Sequence, residues 1–174
     1  LETCIASAAK TRVAVFGDFC LDAYWEIDPD PSELSVETGL PVRRVREQRY
    51  SLGGAGNIVA NLAALGVREV RAVGLVGDDL FGRQMLDMLK ALNVDCAGML
   101  ATQPDWQTLV YAKPCIEDSE LNRLDFGAFG VPAPETLDRL AAALDRAAGL
   151  SDIVILNQQV PAGGEAVPIQ GYVE

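Results

Sequence analysis

RVAVFGDFCLD, residues Arg12 to Asp22, is a short run of β-branched and aromatic apolar residues that stops at Gly17-Asp18. That is the pattern of a parallel strand buried on both faces, with a polar carboxyl end. Residues 23–50 break the pattern. They mix aromatic and acidic residues, carry prolines at 29, 31 and 41, then alternate Val42, Arg43, Arg44, Val45, Arg46. This reads as an excursion from the core, two edge strands joined by a loop. From Asn57 the apolar positions Ile58, Leu62 and Leu65 recur at helical spacing and Gly66 supplies a stop. REVRAVGLVGDD (68–79) repeats the strand-then-acid pattern, and Met85, Leu89 and Leu92 form the next helical stripe. NVDCAGML (93–100), WQTLVYAKPCI (106–116) and LNRLDFG (121–127) are predicted strands. PETLDRLAAALDRAAG (134–149) is a helix with Pro134 in its first turn and Leu137, Leu140, Ala141 and Leu144 on one face. SDIVILN (151–157) is a further buried strand. Strands alternating with helices predict an α/β domain with a largely parallel sheet. Ligands of such sheets bind beyond the carboxyl ends of the strands, so Gly17–Asp22, Gly77–Asp79 and Asn157–Gln159 are expected on one rim.

Composition narrows the chemistry. The 174 residues are 49% hydrophobic and 22% charged, enough for one sizeable core. No apolar run approaches the roughly 20 residues of a membrane span, and the opening LETCIASAAK lacks a signal peptide's apolar stretch, so a cytoplasmic protein is expected. A net charge of −11 without a basic stripe argues against nucleic-acid partners. Cys4, Cys20, Cys96 and Cys115 are far apart with no C-x-x-C, which favours free thiols over disulfides or a zinc site. The sequence contains no histidine. That removes Ser-His-Asp and Cys-His nucleophiles, H-E-x-x-H metal sites and imidazole acid–base catalysis.

LGGAGN (52–57) precedes the first predicted helix. Glycine backbone at a helix start attracts anions. Yet no G-x-x-x-x-G-K-[ST] is present, and the glycines follow an arginine-rich segment rather than the first strand, so neither nucleotide fingerprint applies. A sugar site and a plain tight turn both stay open. Asp18 and Asp22 at a strand end suit a polyol, since each carboxylate accepts two hydroxyl protons; Asp18 alternatively caps the next turn. Asp78 and Asp79 read either as rim acids or as caps of the helix near Leu80. Arg43, Arg44, Arg46 and Arg49 form either a solvated strand face or a guanidinium fork for an acceptor's phosphate, with Lys113 and Arg123 as further candidate phosphate contacts. Tyr24 and Trp25 would either stack on a sugar face or pack beneath the excursion.

Taken in order, VAVFGDFCLDAYW, LSVETGLPVRRV, SLGGAGNIVANLAALG, VGLVGDDLFGRQM and QTLVYAKPCIEDSELNRLDFG resemble the ribokinase-like, or PfkB, carbohydrate kinases, nearest to the bacterial heptose-7-phosphate kinases. The resemblance covers roughly Thr11 to Val160 and implies a ribokinase-like three-layer α/β sandwich with a largely parallel central sheet and a small β lid, about residues 23–50. It implies phosphoryl transfer from ATP, with Mg2+, to a sugar or sugar-phosphate hydroxyl, and homodimers through the lid, where Val42 and Val45 would be buried. Asp22 would hold sugar hydroxyls, and Gly53, Gly54 and Asn57 would line the same pocket.

Three features depart from the family pattern. Val59 stands where a small residue is usual, and NQQVPAGG replaces an acidic stretch after SDIVIL. The family's Gly-x-Gly-Asp, which supplies the anion hole and the general base, is absent, and GLVGDD has an extra residue and comes too early. The chain is therefore expected to be an incomplete kinase domain, with the C-terminal part of the fold missing, no catalytic residue and no metal ligand of its own. ATP and Mg2+ are expected only for the complete enzyme. The competing class is a kinase-like module that binds a sugar or a partner without chemistry; a nucleotide-dependent oxidoreductase lacks its fingerprint.

Overall fold

The computed structural model describes residues 7–30, 33–101, 103–117 and 119–159. Cys4 and the closing segment from residue 160 lie outside them. Four strands, β1 (Arg12–Gly17), β4 (Glu69–Leu75), β5 (Asp95–Leu100) and β9 (Ile153–Asn157), form a parallel sheet in the order β5-β4-β1-β9. Two helices, α1 (Ala55–Ala64) and α2 (Leu80–Ala91), cover one face of it, packing Val59, Met85 and Leu89 on Val13, Val15, Val70 and Ala72. On the other face α3 (Pro134–Gly149) packs Leu140, Ala143 and Ala147 on Ala14, Phe16, Val73 and Leu75. The result is the largely parallel α/β sheet the alternating pattern predicts, in the three-layer arrangement the resemblance implies.

A second sheet is built on the excursion. β2 (Phe19–Ile27) pairs antiparallel with β3 (Val45–Gly54) and parallel with β6 (Leu109–Ile116), to which β7 (Ser119–Glu120) and β8 (Leu124–Phe126) add antiparallel. Its two faces separate by parity. Leu21, Ala23, Val110 and Ala112 are buried with the core, and Trp25 lies edge-on to Phe126, 6.5 Å between centroids. Cys20, Asp22, Tyr24, Tyr111 and Lys113 share the other face.

Several expectations about which face is buried are corrected. In α1 the buried residues are Ala55, Gly56 and Val59; Ile58 and Leu62 are only half-buried, and Leu65 is 58% exposed. In α3 the buried face is Thr136, Leu140, Ala143 and Ala147; Leu140 is as expected and Leu144 packs partly buried against the same cluster, whereas Leu137 is only partly buried and Ala141 is exposed. Small residues sit where helix and sheet approach most closely, and the larger side chains flank that line. The Thr136 hydroxyl also donates to Gln103 Oε1 at 3.1 Å, which fixes α3's rotation. Leu92, at the end of the α2 stripe, is likewise exposed. The largest correction concerns SDIVILN, which is not buried. Among the described residues β9 ends the sheet, with Ile153 51% and Leu156 50% exposed, and α3 packs over β1, β4 and β5.

Asp79 caps α2 and does more. One carboxylate oxygen accepts the Gly82 amide at 2.7 Å and the other accepts the Thr108 amide at 2.8 Å, while the Thr108 hydroxyl accepts the Gly77 amide at 2.9 Å. The segment after β4, the start of α2 and the entry to β6 are thus held by two side chains, Asp79 and Thr108. Asp79→Ala removes a cap and leaves the Thr108 amide unpaired, so it is expected to cost about 2 to 4 kcal/mol in urea unfolding. Asp78 pairs only with exposed Arg83, and Asp78→Ala should change stability by less than about 0.5 kcal/mol.

Candidate acceptor site

The rim forms where β1, β9 and α1 meet. Asp18 follows β1; its amide donates to the Asn157 carbonyl at 3.2 Å, its Oδ2 accepts the Gln159 amide at 3.0 Å, and its carbonyl accepts the Ala55 amide at 2.8 Å. Gly17–Asp18 and Asn157–Gln159 therefore do come together, as the rule for parallel sheets requires. Gly77–Asp79 ends β4, which neighbours β1, but the Asp79 carboxylate is occupied by the two amides above.

Asp22 lies on β2 opposite Ser51 of β3 and Tyr111 of β6. Gly53 lies opposite Cys20, one pleat nearer the rim. A Cβ on Gly53 would come 2.7 Å from Cys20 Sγ and 2.9 Å from Asp22 Oδ2. The glycine therefore lets β3 lie close against Cys20 and the Asp22 carboxylate, where any side chain would collide with both. Gly54 turns the chain out of β3 at φ 56° into α1. Asn57 stands exposed in the first turn, its Oδ1 accepting from Asn61 Nδ2 at 3.5 Å.

Charge on this face is arranged in rungs. Beyond Asp22, the next rung places Arg49, Tyr24 and Lys113 side by side. Lys113 Nζ lies 2.6 Å from Asp22 Oδ1 and 3.3 Å from the Tyr24 hydroxyl, and it stands 4.8 Å above the Tyr24 ring. Arg49 stacks on the same ring at 5.4 Å. Arg123 stacks on Tyr111 at 4.4 Å and pairs with Asp125, which is opposite Tyr111. Burial, the largest single influence on Lys113, favours its neutral form, but hydrogen bonds to Asp22 and Tyr24 outweigh it and raise its pKa. The Cys20 thiol is pushed up to about 12, by burial first and then by the charges of Asp22 and Asp18. It is protonated at neutral pH and offers no nucleophile.

The other sequence candidates lie elsewhere. Arg43 donates to the Pro29 carbonyl at 2.9 Å, and Arg44 and Arg46 face Asp28. At about 3.4 Å per residue, the Val45 end of the ribbon is on the order of 17 Å from Asp22. Trp25 is on the core side, whereas Tyr24 is on the site side. Sequence reasoning missed Ser51, Tyr111 and Thr108. The alternation Leu109, Tyr111, Lys113 against buried Val110, Ala112, Pro114 was the available signal for Tyr111. Among the described residues, no group of three or more Cys, Asp or Glu could hold a metal ion, and Cys20, Cys96 and Cys115 are free.

Residues 10–112 match the family model described as pfkB family carbohydrate kinase. The D-beta-D-heptose 7-phosphate kinase of Bordetella bronchiseptica is 35% identical over 149 residues, which is 86% of this chain and 45% of that protein. The bifunctional protein HldE of Psychromonas ingrahamii is 33% identical over 139 residues, 79% of this chain and 28% of that protein. This chain thus spans less than half the length of either relative. A carbohydrate kinase from Agrobacterium tumefaciens superposes with a TM-score of 0.60 at 19% identity, over 84% of this chain and 45% of that one, which shows the ribokinase-like fold. Match, identity and fold agree with the order of strands and glycines described above: the chain belongs to the pfkB family of carbohydrate kinases.

Proposed function

We propose that this chain is the acceptor-binding portion of an ATP-dependent kinase that phosphorylates a hydroxyl of a sugar phosphate of the heptose type, with residues 23–50 as a lid. The observation that carries the reading is the polar strand face on which the Asp22 carboxylate, still 23% exposed, stands between Ser51 and Tyr111 and beside Lys113. A carboxylate accepts two hydroxyl protons, and the surrounding Ser51, Tyr111 and Asn57 add donors and acceptors suited to a polyol. In this reading Asp18 holds the rim, Asp22, Gly53, Gly54 and Asn57 line the sugar pocket, and Lys113 and Arg123 answer a phosphate group. Arg43 and Arg44 are engaged at the ribbon's tip. Exposed Val45 and half-buried Val42 at that tip are proposed as a homodimer contact.

The described residues do not fit a nucleotide with its metal. The first amide of α1 is committed to the Asp18 carbonyl, the Asp79 carboxylate to two amides, and no carboxylate cluster is present among them. The sequence also lacks Gly-x-Gly-Asp. Phosphoryl transfer depends on positioning and charge stabilisation, so binding without turnover is expected. Calorimetric titration of the 174-residue protein with heptose 7-phosphate, beside an ADP-release assay with the same sugar, tests both halves. Saturable binding with no ADP release is the expected result. Absence of binding overturns the acceptor-site reading; robust ADP release overturns the assignment of catalysis to residues outside this chain.

A further inference from the structure

Lys113 sits where the proposed acceptor must bind. Its ammonium lies 2.6 Å from Asp22 Oδ1, and the two side chains are only 18% and 23% exposed. A neutral polyol that takes Asp22 Oδ1 along the ammonium's line of approach displaces this ammonium, leaving it largely buried with the Tyr24 hydroxyl and ring as its partners among the described residues. Neutral hydroxyl oxygens compensate a displaced ammonium less well than an anion does, and a poorly paired charge shielded from water is costly. A phosphate group does compensate it, because it receives the ammonium in a charge-assisted hydrogen bond as Asp22 is released to the hydroxyls. Arg49, stacked on the same Tyr24 ring and only 3.8 Å from its exposed partner Glu47, adds a second cation on the same rung.

We propose that Lys113 makes the site selective for phosphorylated acceptors, by occupying Asp22 until a phosphate draws the ammonium away. The proposal rests on the acceptor-site reading above and deepens it: the residue both blocks the wrong ligand and holds the right one. Such selectivity has an attractive and a repulsive part, as discrimination between similar ligands generally needs. No bond is made or broken in the exchange; one ion pair is traded for another.

The test uses calorimetry on the 174-residue protein and its Lys113→Met variant, with heptose and heptose 7-phosphate as probes. Lys113→Gln serves as a second variant, and urea unfolding verifies that each is folded. Wild type is expected to bind heptose 7-phosphate about tenfold or more tightly than heptose. In Lys113→Met the phosphorylated sugar should weaken about tenfold while the neutral sugar tightens about fivefold, so the preference is lost or inverted. Inorganic phosphate, at constant ionic strength, should tighten heptose binding to wild type and leave the variant unchanged. A variant that weakens both sugars equally, or wild-type heptose binding that phosphate does not improve, overturns the exchange while the acceptor site stands. Failure of both sugars to bind either protein overturns the acceptor-site reading, and the exchange with it.

Discussion

Gly54→Ala is expected to destabilise the protein by about 2 to 5 kcal/mol, the sum of a backbone term and a clash term. Gly54 adopts φ 56° and ψ −129°, a region that residues with a Cβ avoid. The added Cβ would also lie 2.3 Å from the Asp18 carbonyl oxygen. That oxygen accepts the Ala55 amide, and the Asp18 amide is tied to Asn157, so the obstacle is backbone held from both sides and unable to swing aside. Relief requires moving the β1–β2 corner away from the start of α1, which disturbs β9 as well. Gly66→Ala is the internal control: φ is 74° there, but nothing lies within 4 Å of the added Cβ, so only the conformational term of about 1 kcal/mol applies. Urea unfolding of both variants separates the two terms. Equal losses would mean that the close approach at Asp18 contributes nothing.

Asp22→Asn is expected to weaken heptose 7-phosphate about 30-fold to 100-fold while leaving the fold intact. The carboxamide keeps the volume but offers one acceptor oxygen in place of two, and presents an NH2 where a hydroxyl proton would be received; each lost charged hydrogen bond is worth about 1.5 to 3 kcal/mol. The substitution also removes the charge that faces Lys113 in a pair only 18% and 23% exposed, but Asn can still accept from the ammonium, so a stability loss of about 1 to 3 kcal/mol is expected. The readout is the contrast with Lys113→Met, which should tighten the neutral sugar where Asp22→Asn loosens it. Undiminished binding in Asp22→Asn would remove Asp22 from the acceptor site. A large loss of stability with proportionate loss of binding would make its role structural.

The core strands and the three helices were legible because their signals are local. Arg12–Gly17 and Glu69–Leu75 are mostly apolar runs with Gly17-Asp18 and Gly77-Asp78 at or just beyond their ends, and Pro134 and Gly149 bracket α3. The cap at Asp79 was also legible as one of two readings, since a carboxylate three residues before Gly82 is positioned by helix geometry alone. Periodicity placed Met85, Leu89 and Leu140 correctly but misjudged part of the face elsewhere: Leu65 is exposed and Leu137 only partly buried, while the small Ala55 and Ala143 are buried. SDIVIL has the composition of a buried strand, but composition does not say which neighbours a strand has.

By itself the sequence determined the α/β class, the first core strand that ends at Gly17-Asp18, the glycine pair before α1, and the absence of histidine chemistry and of Gly-x-Gly-Asp; it placed Asp22 at that strand's end, whereas Asp22 lies within β2 of the second sheet. These depend on residue type, backbone freedom and spacing within one element. The tertiary structure alone decided that Lys113, 91 residues from Asp22, occupies its carboxylate, that Tyr111 and Arg49 share its face, and that β9 ends the sheet among the described residues. Those facts follow from the register between strands distant in the chain, and register is set by the packing of the whole sheet rather than by any one segment.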